Sequence, residues 1–230
     1  MNSAISSPDP RAASTERMAG LTSILLACGV IGPILFFVAV LVQGSTRPGY
    51  SALHHPVSTL SLGQNGWVQT VNFLVSGVLV LAFAFGLRRV LRPGTGSTWG
   101  PILVGLTGLG FVGAAIFPTD PAFGYPPGAA ETQSLHGTIH TIVSNVGLLS
   151  LLVACFVLAR RFARTPGWRG WAIFSIVSGV LIVIFAIGST LASSPDEPFG
   201  LVQRLTIAAG WVWMALVAIR LLTTTLPADR

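Results

Sequence analysis

Residues 137–159 read GTIHTIVSNVGLLSLLVACFVLA, and Arg160-Arg161 follow at once. The stretch contains no Asp, Glu, Lys or Arg. An α-helix rises about 1.5 Å per residue, so a run of this length crosses a hydrocarbon core of about 30 Å. An open sheet would leave unpaired backbone groups in lipid, and the apolar positions here are continuous rather than alternating. His140 is polar and sits one turn inside one end, while arginines close the other. Runs of comparable length and character occur at 19–42, 67–87, 99–117, 170–191 and 203–222. The expected fold class is therefore all-α: a polytopic membrane protein forming a six-helix transmembrane bundle. It should occupy 18–225 as a single domain, after a polar, disordered tail over 1–17 that contains Pro8, Pro10 and several serines.

Composition agrees. Of 230 residues, 52% are hydrophobic and 9% charged, against about 25% charged in an ordinary soluble domain. So few charges cannot cover a water-exposed surface, but they suffice for short connections between embedded helices. The mean hydropathy of +0.75 points the same way. The net charge is +6, and all 13 basic residues are arginine. They lie in small groups between apolar runs rather than on one patch, so no nucleic-acid partner is expected and membrane lipids are. Cys28 and Cys155 fall inside apolar runs with no CxxC, which reads as two buried small side chains rather than a redox pair.

The arginines set the expected orientation. Arg11, Arg17, Arg88, Arg89, Arg92, Arg160, Arg161, Arg164, Arg169, Arg220 and Arg230 fall on one side, and only Arg47 and Arg204 on the other. Cytoplasmic loops carry the excess of basic residues. Both termini are thus expected in the cytoplasm of a multi-pass plasma-membrane protein, with the first, third and fifth connections outside. Those connections hold His54, His55, Asp120, Glu131, His136, Asp196 and Glu197, with His140 just inside the fourth helix. All four histidines and four of the seven acids gather there.

Three segments of this outer face carry possible chemistry. In His54-His55-Pro56-Val57-Ser58 a short interfacial helix would put His55 and Ser58 on one face, where a histidine positions or activates a serine. The plainer reading is a segment whose polar side chains cap backbone. In Phe117-Pro118-Thr119-Asp120-Pro121 the proline ends a helix, and the aspartate reads as turn chemistry. In His136-Gly137-Thr138-Ile139-His140 the two imidazoles recur at i,i+4 on one stripe, a good metal-ligand spacing. Glycine at 137 excludes the glutamate of HExxH. Structural hydrogen bonding and proton relay are the other readings of that stripe. Combined, Asp120, His136 and His140 could supply two nitrogens and one oxygen to a divalent metal such as zinc, with His55 and Ser58 in catalytic roles. The leading expectation is a metal-dependent hydrolase or lipid-modifying enzyme. The alternative is a non-enzymatic membrane scaffold or small-molecule binding protein whose polar cluster is structural. The helix middles hold only uncharged polar residues such as Asn72, Ser76, Ser175, Ser178 and Ser189, which does not favour an ion-coupled transporter. Gly105, Gly108, Gly110 and Gly113 predict close packing of the third helix.

These segments carry a resemblance. His55-Pro56-Val57-Ser58-Thr59-Leu60-Ser61, Phe117-Pro118-Thr119-Asp120 and His136-Gly137-Thr138-Ile139-His140, in that order, resemble the bacterial and archaeal membrane family described as domain of unknown function 998. The resemblance implies a six-helix membrane protein with no established activity. An acidic residue often follows the motif serine in that family, whereas Thr59 stands there in this chain. The chain is also loosely similar to six-helix proteins linked to lipid remodelling. More distantly it resembles seven-helix lipid hydrolases such as alkaline ceramidases, which place Ser, Asp and His around zinc near one membrane face. It has one helix fewer and different spacing.

The orientation is directly testable. A reporter active only outside the cytoplasm, inserted at residue 128, should be active, and an inactive one would invert the map.

Overall fold

Residues 10–192, 194 and 196–225 are described in the computed structural model. Six helices follow one another: α1 (Pro10–Thr46), α2 (Gly66–Leu91), α3 (Trp99–Ile116), α4 (Leu135–Ala163), α5 (Arg169–Leu191) and α6 (Phe199–Thr225). All six are long and apolar enough to cross a membrane, and no strand occurs among the described residues. Each expected span lies on its own helix. Of the tail expected over 1–17, residues 1–9 lie outside the described residues and Pro10 opens α1, whose apolar span begins at Glu16. A single 3-10 turn, Val57–Ser61, interrupts the α1–α2 connection.

The helices pack in chain order, each against the next, and α6 returns to α1 to close a ring. An aromatic cluster contributed by four helices holds that closure. Phe36 of α1 stacks on Trp211 of α6 at 4.6 Å between ring centroids. Phe111 of α3 meets both rings edge-on, at 5.4 and 4.9 Å, and Phe73 of α2 lies 6.0 Å from Phe111. Offset and edge-to-face pairs of this kind add about 0.5–1.5 kcal/mol each beyond their buried area. Outward-facing positions are apolar instead: Ile24, Leu41, Phe85 and Leu191 are each at least 65% exposed. A belt of that kind is stable against acyl chains and unstable against water.

Lipid tails are as apolar as leucine, so helices in a bilayer associate through close backbone approach and internal hydrogen bonds. Both devices are present. A Cβ added at Gly108 would stand 2.9 Å from the carbonyl oxygen of Gly77 on α2, and one at Gly110 would stand 2.8 Å from that of Val143 on α4. The glycines of α3 thus bring it close to both neighbours, as expected, except that Gly105 has ordinary room, its nearest contact at 3.8 Å. The mid-helix polar residues act as glue. Asn72 donates to the Phe36 carbonyl and to Gln69 Oε1, each at 3.3 Å, and Gln43 donates to the same Gln69 oxygen at 2.8 Å. Ser175 accepts from the Trp213 indole at 2.9 Å.

Gly108→Ala should therefore destabilise the bundle by about 1–3 kcal/mol, the usual cost of overpacking, whereas Gly105→Ala should be near neutral. Thermal unfolding in detergent followed by circular dichroism separates the two. Equal melting of both variants would contradict the close α2–α3 contact.

Candidate functional site

The ends of α1, α3 and α5 and the starts of α2, α4 and α6 share one end of the ring, called here the histidine end. Its geometry begins with a helix start. The first backbone N–H groups of α4 need acceptors. Ser134 caps them, its hydroxyl oxygen accepting from the Gly137 N–H at 3.0 Å. Asp120 in turn holds Ser134: one carboxylate oxygen accepts from the Ser134 N–H at 2.8 Å and the other from its hydroxyl at 2.6 Å. These bonds hold the Asp120 carboxyl below the usual carboxylate range. They also explain the glycine in His136-Gly137. A Cβ there would lie 2.0 Å from an Asp120 oxygen, so only glycine lets the carboxylate rest on the first turn, where the helix N-terminus favours negative charge.

His140 lies one turn further in and is buried. Its Nδ1 sits 2.8 Å from the Phe117 carbonyl oxygen, which can only accept, so Nδ1 carries the proton. The Phe73 ring stands edge-on, 6.1 Å away. His140 thereby ties α4 to the residue that leaves α3. His136 occupies the same stripe yet is exposed, its ring 5.9 Å from that of Phe117. Asp120, His136 and His140 are thus neighbours, but Asp120 and His140 hold different groups of the fold, and His136 is exposed beside Phe117. Among the described residues no group of three or more His, Cys, Asp or Glu side chains is arranged to hold a metal ion.

The α1–α2 connection is clasped onto the start of α6. The N–H groups of Gly200 and Leu201 donate to the carbonyls of His54 and Leu53, at 3.2 and 2.9 Å. A Cβ at Gly200 would fall 2.5 Å from the His55 carbonyl oxygen, so this approach requires glycine. Arg204, one turn along α6, donates to the His55 carbonyl at 3.1 Å and to the Tyr50 hydroxyl. The Tyr50 hydroxyl lies 3.2 and 3.1 Å from the carbonyls of His55 and Pro56. Burial raises the Tyr50 phenol above its ordinary pKa, and the Arg204 charge partly offsets this. Gln203 accepts from the Val57 N–H at 2.8 Å. Arg47 braces the far side through the carbonyls of Leu60 and Leu62, at 3.0 and 3.1 Å, and of Asn65.

His55 sits inside this clasp. Its Nδ1 accepts from the Ser51 N–H at 2.9 Å, which leaves the proton on Nε2. The rings of Tyr50 and Tyr125 flank it at 5.4 and 5.2 Å. Burial and then the neighbouring His54 push its pKa down, against a backbone hydrogen bond with Phe123. His54 Nδ1 reaches the Glu197 carbonyl at 3.1 Å. Ser58 lies on the 3-10 turn; its carbonyl accepts from the Ser61 hydroxyl at 2.7 Å, while its own hydroxyl has no hydrogen-bond partner among the described residues.

Sequence reading found His54, His55, Asp120 and His140 but missed their partners Tyr50, Ser134, Gln203 and Arg204. A signal existed for one of them: Arg204 and Arg47 are the two arginines on the arginine-poor side, and both are spent on loop carbonyls.

Six apolar helices in a closed ring, with a hydrogen-bonded cap at one end, define a multi-pass integral membrane protein in a lipid environment. The family described as Protein of unknown function (DUF998) matches residues 30–220, and the chain belongs to it. No curated protein and no solved structure matches the chain.

Two predictions follow from the cap. Ser134→Ala should lower stability by about 1 kcal/mol, the usual cost of a lost N-cap. Asp120 has a lowered native pKa, so its contribution is complete above the unfolded carboxylate value and fades as pH falls through the native one. Asp120→Asn should therefore melt below wild type at pH 7, with the gap closing in strong acid. A pH-independent gap would mean that the carboxylate charge is irrelevant to the cap.

Proposed function

We propose that the polar cluster at the histidine end is structural and that this protein is a non-enzymatic membrane scaffold or small-molecule binder. One observation carries this reading. Asp120, His55 and His140 each hold a backbone or cap group of the fold: Asp120 through both carboxylate oxygens, and His55 and His140 through Nδ1. Moving any of these side chains toward a substrate would strain a bond that holds a helix end or a connection.

A second reading, a metal-dependent hydrolase or lipid-modifying enzyme, is favoured by one specific feature. The exposed His136 imidazole and the Ser58 hydroxyl make no hydrogen bond among the described residues. In that reading Asp120, His136 and His140 hold zinc while His55 and Ser58 act on substrate. On the arginine distribution we place the chain in the plasma membrane with both termini in the cytoplasm.

Metal analysis of purified protein decides between the readings. Wild type and His140→Ala should carry the same near-zero zinc after exposure to zinc and washing. One zinc per chain in wild type, lost in His140→Ala and in Asp120→Ala, would overturn the structural reading.

A further inference from the structure

The opposite, arginine-rich end is built differently. Between the ends of α2, α4 and α6 lies a cavity of about 200 Å³. Arg161, Thr165, Trp168 and Thr224 line it together with the apolar Leu91 and Phe162. Among the described residues no acidic side chain is in its walls. Glu16, exposed on α1, is the one acid at this end among the described residues.

The arginines at this end that bond within the chain hold only neutral partners. Arg161 donates to the carbonyls of Pro93 and Thr95, at 3.3 and 3.5 Å, and Arg164 donates to the Thr95 hydroxyl at 3.2 Å. Arg88 donates to the Ser97 carbonyl at 2.9 Å. Arg220 lies over the ring of Trp168, its guanidinium carbon 5.1 Å from the centroid. The Arg220 Nε is buried and has no hydrogen-bond partner among the described residues. A buried donor without an acceptor is costly, and a guanidinium fork suits phosphate oxygens. Arg161 stands in the cavity wall with only carbonyl partners, and Arg220 lies over the Trp168 ring of the same wall, so an anion in the hole would meet one positive charge directly and a second beside it.

We propose that this cavity binds the phosphate headgroup of an anionic membrane lipid, with Arg161 as the cationic contact in its wall and Arg220, over the Trp168 ring that lines it, as a second positive charge beside it. The mixed wall selects lipid over free phosphate: arginine and threonine meet the headgroup, and Leu91 and Phe162 meet the first carbons below it. The cavity also lies where helix ends meet the headgroup layer, and basic pockets between transmembrane helices at that level suit such lipids. This inference goes beyond the proposed function and does not depend on the histidine end.

The test is native mass spectrometry of the full chain in neutral detergent, titrated with phosphatidylglycerol, phosphatidylcholine or inorganic phosphate. One phosphatidylglycerol should bind well above the level of phosphatidylcholine, and millimolar inorganic phosphate should not displace it. Arg161→Gln and Arg220→Gln should each weaken it about fivefold, the effect of one arginine at a headgroup. Arg17→Gln, an exposed arginine at the same end outside the cavity, should change it less than about twofold on the same scale. Thr224→Phe, which fills the cavity and removes no charge, should also weaken binding, so the outcome does not depend on one arginine variant folding. Equal losses in Arg17→Gln would mean diffuse surface attraction and overturn the site. Equal binding of both lipids, or displacement by inorganic phosphate, would overturn it as an anionic-lipid site.

Discussion

The hydrocarbon core offers no water to a backbone N–H or carbonyl, so each group near it must find its partner within the chain. Helices satisfy this along their length and fail at their ends, where about four N–H and four carbonyl groups are left over. At the histidine end the starts of α4 and α6 sit against connections instead of open solvent. Ser134 and Asp120 close the first, and the carbonyls of Leu53 and His54 close the second. The connections must in turn be held in place, which is the work of Arg47, Tyr50, His55 and Arg204. The hydrogen bonds found at this end thus serve helix ends and connections at a membrane boundary.

That connection also explains the two arginines that depart from the charge distribution. An arginine on this side gains nothing from anionic lipid on the other. Arg204 instead spans the carbonyls of His55 and Gly200 and the Tyr50 hydroxyl, and Arg47 gathers the carbonyls of Leu60, Leu62 and Asn65. A planar fork with five donors suits this better than the single ammonium of lysine. At the arginine-rich end the same side chain also meets neutral acceptors, but Arg161 lines a cavity and, among the described residues, the Arg220 Nε has no hydrogen-bond partner. The two ends differ in whether their cations are fully used.

Length and hydropathy made the six helices and the close glycine packing of α3 legible, because crossing a bilayer demands long uninterrupted apolar runs. The contents of the histidine end were also legible, since His54, His55, Asp120, His136 and His140 could be counted onto one side. Their bonding was not. His136 and His140 share a stripe by periodicity, yet one faces out beside Phe117 while the other is buried against its carbonyl. Nothing in the i,i+4 spacing encodes that difference. Tyr50 and Arg204 are 154 positions apart, and only closure of α6 onto α1 brings them together.

Gly137 shows how one position separates two meanings of the same motif. In a metalloprotease helix the residue after the first histidine is a glutamate that works as a base. Here a side chain at that place would collide with the Asp120 carboxylate, which already occupies the space above the first turn. The glycine therefore marks a capped helix start. The second histidine can be read the same way: with the α3–α4 neck drawn shut by Asp120 and Ser134, Phe117 turns its carbonyl inward, and a buried donor is needed to meet it. His140 supplies that donor through Nδ1 at 2.8 Å. The aspartate, glycine and histidine together specify how α3 hands the chain to α4, and a substitution at any one of them should disturb the bonds made by the other two.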